Sequence, residues 1–350
     1  MLPTITHIHN SVIPLLAAQG SVFLDARAHK TIYAGATLAR ANGAQLRRFP
    51  TGNADHVEAQ LKEAPAERPR LICMDGVNSM TGNIPDLPTF ARLARRYDAL
   101  LYVDDAHGFG VIGERSTAQR TPYGARGNSV IRHVGEGYDN VILVAGFSKA
   151  YSSLLAFLTL PTELKDYCKV NAAPYLYSGP SPTASLATVL AGFKVNTTLG
   201  EAIRTDLHRK TARVLAAVHH LELDTPNRSG LPIIEIPLGR GEDIDDVGRY
   251  LYRRGIYVTL ATYPLVPRSE VGIRIQLTAA NTDQEIDHLI DVLRDLTAQF
   301  PMRQPRTDNA RPAFRGIRGG AVSGAGVVDD LPGATVKRTV VRNGTTDIEW

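Results

Sequence analysis

Two apolar runs in the chain stop abruptly at polar and charged side chains. Residues 100–103 lead into two acids, a histidine and spaced glycines, and residues 140–145 lead into Gly-Phe-Ser-Lys-Ala. Apolar runs of this length that stop at turn residues predict buried strands of a parallel sheet. Open α/β sheets bind their ligands at the carboxyl ends of such strands. Asp104 and Lys149 are therefore predicted to lie at the same edge of one sheet.

Strand-like and helical segments alternate through the first 200 residues, which favours an α/β fold with a mostly parallel sheet. A long amphipathic helix then leads to a smaller α+β unit, and the composition shifts to Arg, Gly, Pro, Asp and Thr near the end. We predict a large domain at 5–200, a linking helix and small domain at 201–302, and a flexible tail at 303–350. The predicted strands are 21–25, 45–49, one from 70, 100–103, 140–145, 155–160, 233–236, 257–260 and 272–277; the predicted helices are 86–98, 163–172, 201–221, 244–254 and 283–300.

Composition limits the classes of function that fit the chain. Its 350 residues are 43% hydrophobic with a net charge of +4, which suits a large folded core and gives no nucleic-acid surface. No apolar run reaches the roughly 20 residues that span a bilayer, so we expect a cytoplasmic protein with no membrane contact. Cys73 and Cys168 form no disulfide or metal framework. His7 and His9 alternate as metal ligands do, but lack a partner cluster, and no metal site is predicted.

Lys149 and Asp104 together indicate a specific chemistry. A lysine that forms an imine must be partly desolvated so that its amine can be neutral, and apolar Val144 and Phe147 lie close to it in the sequence. A carboxylate suits the pyridinium nitrogen of pyridoxal phosphate because it keeps that nitrogen protonated. Taken singly, each residue favours a simpler interpretation, a surface lysine and an aspartate that caps a helix.

Residues 103–113, followed by 147–150, resemble the core signature of the α-oxoamine synthases. These are fold-type-I pyridoxal-phosphate enzymes of the 8-amino-7-oxononanoate synthase and glycine C-acetyltransferase kind. The resemblance implies an aminotransferase-like large domain in which Lys149 forms the Schiff base with the cofactor and later serves as general base. It also implies that Asp104 pairs with the pyridinium nitrogen and that His107 hydrogen-bonds near the phenolic oxygen.

The same resemblance extends to other segments. It implies that His29, which follows a strand, stacks on the pyridine face; without it, a helix cap is the simpler role. It implies that Ser79 reaches the cofactor, although Asn78 replaces the usual aromatic residue and a plain turn is the alternative. Arg274 lies in a largely apolar strand and is implied to hold the carboxylate of the amino-acid substrate. The alternative for Arg274 is a structural ion pair.

The segment around Lys149 departs from the family pattern in two ways. Gly146 stands where the family commonly has a hydroxyl side chain for the cofactor phosphate, and residues 151–156 lack the usual paired glycines. Ser148, Ser152 and Ser153 are the candidates to supply the missing hydroxyl. We assign Ser148 to the cofactor site and expect phosphate affinity to be the most altered property.

The start of the chain departs as well. In the family an N-terminal arm precedes this point, and a Gly-aromatic turn offers backbone N–H groups to the phosphate. The arm is expected to be missing here, and Thr6 and His7 fall at the turn. Tyr177 and Ser178 resemble a family turn near the neighbouring subunit's cofactor, which implies a homodimer; a plain turn at a helix start is the alternative.

The function implied is a transferase reaction with pyridoxal 5'-phosphate as cofactor. An amino acid is condensed with an acyl thioester, on coenzyme A or on an acyl carrier protein, and decarboxylation yields an α-aminoketone. Two alternatives remain open at this stage. One is an aminotransferase or lyase on the same fold, and the other is a non-catalytic or truncated partner subunit.

Overall fold

The computed structural model describes residues 1–115 and 121–305. Within them, six strands form a large sheet in the order β2-β1-β3-β4-β5-β6, and three form a second sheet in the order β7-β9-β8. The strands are β1 Ser21–Asp25, β2 Gln45–Phe49, β3 Arg70–Asp75, β4 Leu100–Asp104, β5 Val141–Gly146, β6 Ala156–Thr159, β7 Ile233–Pro237, β8 Thr259–Ala261 and β9 Gly272–Gln276.

Helices connect and cover the strands. Their bounds are α1 Ile5–Ala17, α2 Lys30–Ala41, α3 Ala54–Glu63, α4 Leu87–Arg96, α5 Val130–His133, α6 Thr162–Asn171, α7 Ala173–Leu176, α8 Thr183–Thr198, α9 Gly200–His220, α10 Ile244–Arg253 and α11 Asp283–Gln299. Several starts carry the capping residues that the sequence indicates. Asp86 accepts a hydrogen bond from Thr89 N–H at α4, and Thr282 and Glu285 form a capping box at α11.

The large sheet is mostly parallel, as predicted. Four neighbouring pairs run parallel, and only the β5–β6 pair is antiparallel. Strands β1, β3 and β5 are buried at every position, which fits a sheet covered on both faces. Alternate residues face two cores, so that Tyr102 packs with α1 and α2 while Leu101 and Val103 pack with the cluster that includes α4 and α9.

The parallel register brings the strand ends together. Asp75 on β3 is the Cα partner of Asp104 on β4, and Asp104 is the partner of Val144 on β5, five residues before Lys149. The acid and the lysine therefore lie at the carboxyl ends of adjacent strands, as the apolar runs predict. The division into domains at residues 200 and 302 stays a prediction.

Some local predictions need correction. The strand predicted at 257–260 is β8 at Thr259–Ala261, because Gly255 ends α10 in the left-handed region and Ile256 to Val258 run outside the ladder. The turn with Tyr177 and Ser178 follows the short helix α7, which ends at Leu176. Most of the predicted tail, residues 306–350, and also residues 116–120 lie outside the described part of the chain.

Candidate active site

One cavity at the carboxyl edge of the large sheet holds six of the seven side chains predicted for the site. Its lining includes Lys149, Asp104, His107, His29, Ser79 and Ser148. The seventh, Arg274, reaches the same place from the second sheet. Because these residues lie between positions 29 and 274 in the chain, their convergence is a property of the fold rather than of any local motif.

Asp104 ends β4 and is buried. Its Oδ1 accepts a hydrogen bond from the Ala106 N–H at 2.9 Å, which turns the carboxylate toward the cavity. Its Oδ2 lies 3.5 Å from Nε2 of His9 on α1. Asp105 next to it faces the other way, and its Oδ2 accepts from the Val130 N–H at 2.8 Å. The two adjacent acids therefore have different surroundings, because Asp104 lies at the cavity and Asp105 contacts the backbone at Val130.

Lys149 lies in the turn after β5, with its side chain open to the cavity mouth and with Leu154 and Leu155 on the same wall. Desolvation by these walls lowers the pKa of its amine, and the negative charge of Asp104 partly opposes that shift. A lowered pKa increases the neutral fraction of the amine, which is the form that attacks a carbonyl carbon.

The pKa values of both predicted histidines are lowered. Burial lowers the pKa of His107 well below its ordinary value, and the positive charges of Lys149 and Arg274 lower it further. Desolvation also lowers the pKa of His29, with Asp104 opposing. His29 is the N-cap of α2, so the simpler structural role and a place on the cavity wall hold together.

Asp75 is a cavity residue that the sequence analysis does not assign. It is buried, lines the cavity and accepts a hydrogen bond from the His29 N–H at 3.0 Å. Burial raises the pKa of Asp75 well above its ordinary value, and the neighbouring charge of Asp104 raises it further. Two acids therefore lie side by side on paired strands at this edge of the sheet. Its position at the end of a buried strand is the signal that identifies it.

His9 is a second residue that the sequence analysis does not assign to the site. It is fully buried on α1 behind Asp104. Its signal in the sequence is a histidine on the apolar face of a helix that also carries Ile8, Val12 and Ile13.

Arg274 on β9 is half-buried and donates from Nε to the Ser79 carbonyl oxygen at 2.7 Å. Within the described residues its two terminal nitrogens make no hydrogen bond, so the planar end of the guanidinium is free for a carboxylate. Glu235 on β7 is its Cα partner, and burial raises the pKa of Glu235 to about 7. No ion pair joins these two side chains, so the structural alternative for Arg274 lacks a partner in this part of the chain.

The other end of the cavity is formed by the start of α1, where Thr4, Ile5 and Thr6 line the wall. The first N–H groups of a helix have no intrahelical acceptor and attract anions. Gly146 lies beneath this turn, and a Cβ built there would come within 2.7 Å of Ile5 Cδ1. The hydroxyl side chain absent at position 146 is therefore replaced by the packing of Ile5.

The backbone after Lys149 adopts left-handed conformations although the paired glycines are missing there. Ser152 has φ +49° and Leu155 has φ +87°, both in the left-handed region that glycine adopts without strain. Leu155 is nevertheless fixed on both sides, because its N–H donates to the Pro3 carbonyl and its own carbonyl accepts from Phe147. The turn keeps a glycine-like shape without glycine.

These residues fit pyridoxal phosphate. A buried carboxylate for a ring nitrogen, an amine with a lowered pKa, two neutral histidines and a helix N-terminus for a phosphate all face one cavity. At the phosphate end, Ser148 and the start of α1 line the cavity and would supply the donors.

The next features concern metal sites, cysteine pairs and membrane-spanning helices in the described ranges, 1–115 and 121–305. No cluster of three or more His, Cys, Asp or Glu side chains is arranged around a possible metal position there. Cys73 and Cys168 are both buried free thiols. No helix in these ranges combines the length and apolar character needed to cross a bilayer.

The chain is similar to known proteins over most of its length. Residues 9–293 match the family model for aminotransferase class I and II. The chain is 35% identical over 292 residues to an 8-amino-7-oxononanoate synthase from Alkalilimnicola ehrlichii, covering 82% of this chain and 70% of that protein. It is 31% identical over 287 residues to the synthase from Methylobacillus flagellatus, covering 81% of this chain and 68% of that one.

Solved structures share the fold. Serine palmitoyltransferase from Sphingomonas wittichii superposes with a TM-score of 0.77 at 22% identity, covering 86% of this chain and 73% of that one. 8-Amino-7-oxononanoate synthase from Francisella tularensis gives 0.70 at 20%, covering 85% and 81%. These matches confirm the fold class, and the sequence relatives confirm the family. The chain therefore belongs to the aminotransferase class I and II family and, within it, to the α-oxoamine synthases, the pyridoxal-phosphate-dependent C-acyltransferases that the sequence predicts.

Proposed function

We propose that this chain condenses an amino acid with an acyl thioester at the cavity around Lys149, with loss of carbon dioxide. The observation that carries the proposal is the convergence of Lys149, Asp104, His107 and His29 on one cavity, with Arg274 beside it. Bound pyridoxal phosphate supplies an electron sink that stabilises negative charge at the α-carbon of an amino acid.

The side chains have separate tasks in this proposal. Asp104 holds the ring nitrogen in its protonated form, because a buried carboxylate favours a positive partner. Lys149 accepts and returns a proton, since its lowered pKa increases the fraction of the neutral amine. Neutral His107 donates or accepts a hydrogen bond beside the ring without adding a charge.

Arg274 orients the substrate. Its Nε is fixed by the Ser79 carbonyl oxygen, so the terminal nitrogens point with little freedom toward the carboxylate they bind. Ser79 thus acts through its backbone as well as its place on the cavity wall.

The cofactor site is tested by an absorbance spectrum of the purified protein with added pyridoxal phosphate, before and after borohydride reduction. We expect a visible band that reduction converts into a stable adduct on Lys149, located by peptide mass. Lys149→Ala is expected to lose the band and the adduct, with Lys165→Ala, an exposed lysine on α6, as the matched control. A native protein without the band would overturn the proposal.

The reaction class is tested by supplying amino acids with an acyl-coenzyme A or with an acylated carrier protein. We expect release of carbon dioxide and free thiol in equal amounts. Turnover of an amino acid with a keto-acid acceptor, and no use of thioester, would instead identify an aminotransferase. The two thioester donors also decide which carrier the enzyme accepts.

The homodimer predicted from Tyr177 and Ser178 forms part of the proposal. These residues lie on an exposed turn that leads into α8, and Tyr177 is 85% exposed. Helix α8 buries only Val189, although most of its side chains are apolar or small. Exposed apolar side chains that lie together on one helix indicate an interaction surface. The exposed apolar residues on and beside it are Leu190, Phe193, Val195 and Leu199.

A second copy of the chain is the occupant we propose for this face. The test is the molar mass in solution, by light scattering after size exclusion, for the native protein and Leu190→Glu. We expect a dimer for the native chain and a monomer for the variant. Tyr257→Glu, which changes another exposed apolar residue just before β8, serves as control and should remain dimeric.

A further inference from the structure

His9 is held in the interior by three different groups. Its Nδ1 lies 2.9 Å from Oγ1 of Thr31, its Nε2 lies 3.5 Å from Oδ2 of Asp104, and its ring makes an edge contact with Tyr102 at 5.7 Å. The residue is 0% exposed. A fully buried imidazole with two polar atoms needs partners for both, because an unpaired buried donor carries its full desolvation cost.

The Nε2 atom of His9 has no other partner among the described residues. The Asp104 carboxylate is therefore the group that can satisfy it, although 3.5 Å is longer than a normal hydrogen bond. The backbone of His9 is fixed nearby, since Gly35 on α2 approaches so closely that a Cβ there would lie 2.4 Å from the His9 carbonyl oxygen.

The hydroxyl of Thr31 connects the ring of His9 to the ring of His29. Thr31 Oγ1 lies between two ring nitrogens, Nδ1 of His9 and Nδ1 of His29, and its distance to His29 Nδ1 is 2.8 Å. A hydroxyl has only one proton, so it can donate to only one of these two nitrogens. If His9 Nε2–H faces Asp104, neutral His9 accepts from Thr31 at Nδ1. Thr31 then accepts from His29 Nδ1–H, in place of the weaker 3.3 Å bond from the Thr31 N–H.

We propose that His9 is a positioning residue that donates from Nε2 to Asp104, and that Thr31 couples its tautomer to that of His29. The proposal rests on the proposed function, because Asp104 and His29 are the residues assigned to the two sides of the cofactor ring. His9 does not touch the reacting atoms. It fixes the orientation of the carboxylate that holds the ring nitrogen.

A cofactor-free measurement tests the hydrogen bond itself. In protein labelled with ¹⁵N-histidine, the two ring nitrogens of His9 are identified by the signals that disappear in His9→Phe. We expect a neutral ring protonated at Nε2. A neutral ring protonated at Nδ1 would overturn the proposal, because Nε2 would then have no proton to give.

Cofactor titration tests the consequence. His9→Phe keeps the ring contact with Tyr102 and removes both nitrogens, and we expect about tenfold weaker binding of pyridoxal phosphate and a shifted absorption maximum. His9→Gln retains an N–H donor and is expected to restore most of the affinity and the native maximum. The control is His133→Phe, which changes another buried histidine, one whose neighbours are Gly113 and Arg115.

The results of these experiments distinguish a failure of the positioning role from a failure of the proposed function. Native affinity and spectrum in His9→Phe would overturn the positioning role. Equal defects in the Phe and Gln variants would also overturn it, because they would indicate packing alone. A native protein that shows no cofactor band would overturn the proposed function instead, and the tautomer measurement would still decide the pair of His9 and Asp104. Thr31→Val is expected to change the tautomer signal of His29 as well as that of His9.

Discussion

The two ends of the cavity are built in different ways. At the ring end, Asp104 is fixed by the Ala106 N–H and faces His9, and Asp75 lies on the neighbouring strand. At the phosphate end, Gly146 offers no side chain, and Ile5 occupies the space above it. The comparison teaches that one site can keep its charged framework while its anion-binding end changes, because different residues form the two ends. Asp104 and Asp75 form the first, and Ile5 packed over Gly146 forms part of the second.

Removing the negative charge of Asp104 at the ring end should slow the reaction. Asp104→Asn keeps the shape but lacks the anion, so we expect the acyltransferase rate at saturating cofactor to fall by about 10²- to 10³-fold. The measurement is the rate of thiol release. The matched control is Asp105→Asn, since that acid serves the loop at Val130; a similar loss there would show that the two acids do not differ in role.

Arg274 gives a further test of the comparison between the ring end and the phosphate end of the cavity, because it lies at neither end. Arg274→Lys keeps the charge but loses the planar pair of donors, so we expect the KM for the amino acid to rise about tenfold or more. Cofactor affinity should stay unchanged in the same titration. Exposed Arg249→Lys is the control, and an equal rise in KM there would contradict the assignment.

The phosphate end should respond to packing. Gly146→Thr forces Ile5 to move, and we expect the free energy of unfolding to fall by about 1 kcal/mol, measured by urea denaturation. Ile5→Ala in the same chain makes room, and the double variant should regain stability and bind pyridoxal phosphate more tightly than the native protein. Additive losses in the double variant would mean that Ile5 and position 146 are not coupled.

The smallest expected effect is a change in how stability depends on pH, from a residue at neither end. Burial lowers the pKa of His133 to about 4. Between that value and the unfolded value of about 6.5, the unfolded chain binds more protons, so stability rises with pH and is complete above about 6.5. Acidification from pH 7 to 4 should therefore destabilise the protein, and His133→Phe should reduce the slope. An unchanged slope would exclude this histidine as a source.

The sequence predicts the ring end well because its signals are local. Apolar runs that stop at Asp104 and Lys149 specify buried strands, and parallel pairing then brings their ends together without further information. The helix start at Asp86 and the glycine stop after α10 are similarly local. The roles assigned to His29, His107, Ser79, Ser148 and Arg274 come from family resemblance and stay predictions, although the fold brings all five to one place.

His9 and Asp75 could not be assigned in the same way. The partner of His9 depends on how α1 packs against β4 and α2, a contact set by the close approach at Gly35 and by no motif. Asp75 becomes special only because its register partner is another acid. The place of Ile5 over Gly146 is also a packing result, so the sequence shows a missing hydroxyl without showing what replaces it.

The apolar surface of α8 has a consequence for handling the protein. On the proposed dimer, association buries that surface only in the folded state, so mass action ties apparent stability to concentration. The midpoint of thermal unfolding should therefore rise as the protein is concentrated. Activity lost on dilution and recovered on concentration would then report dissociation of subunits, not damage to the fold or loss of the chemistry at Lys149.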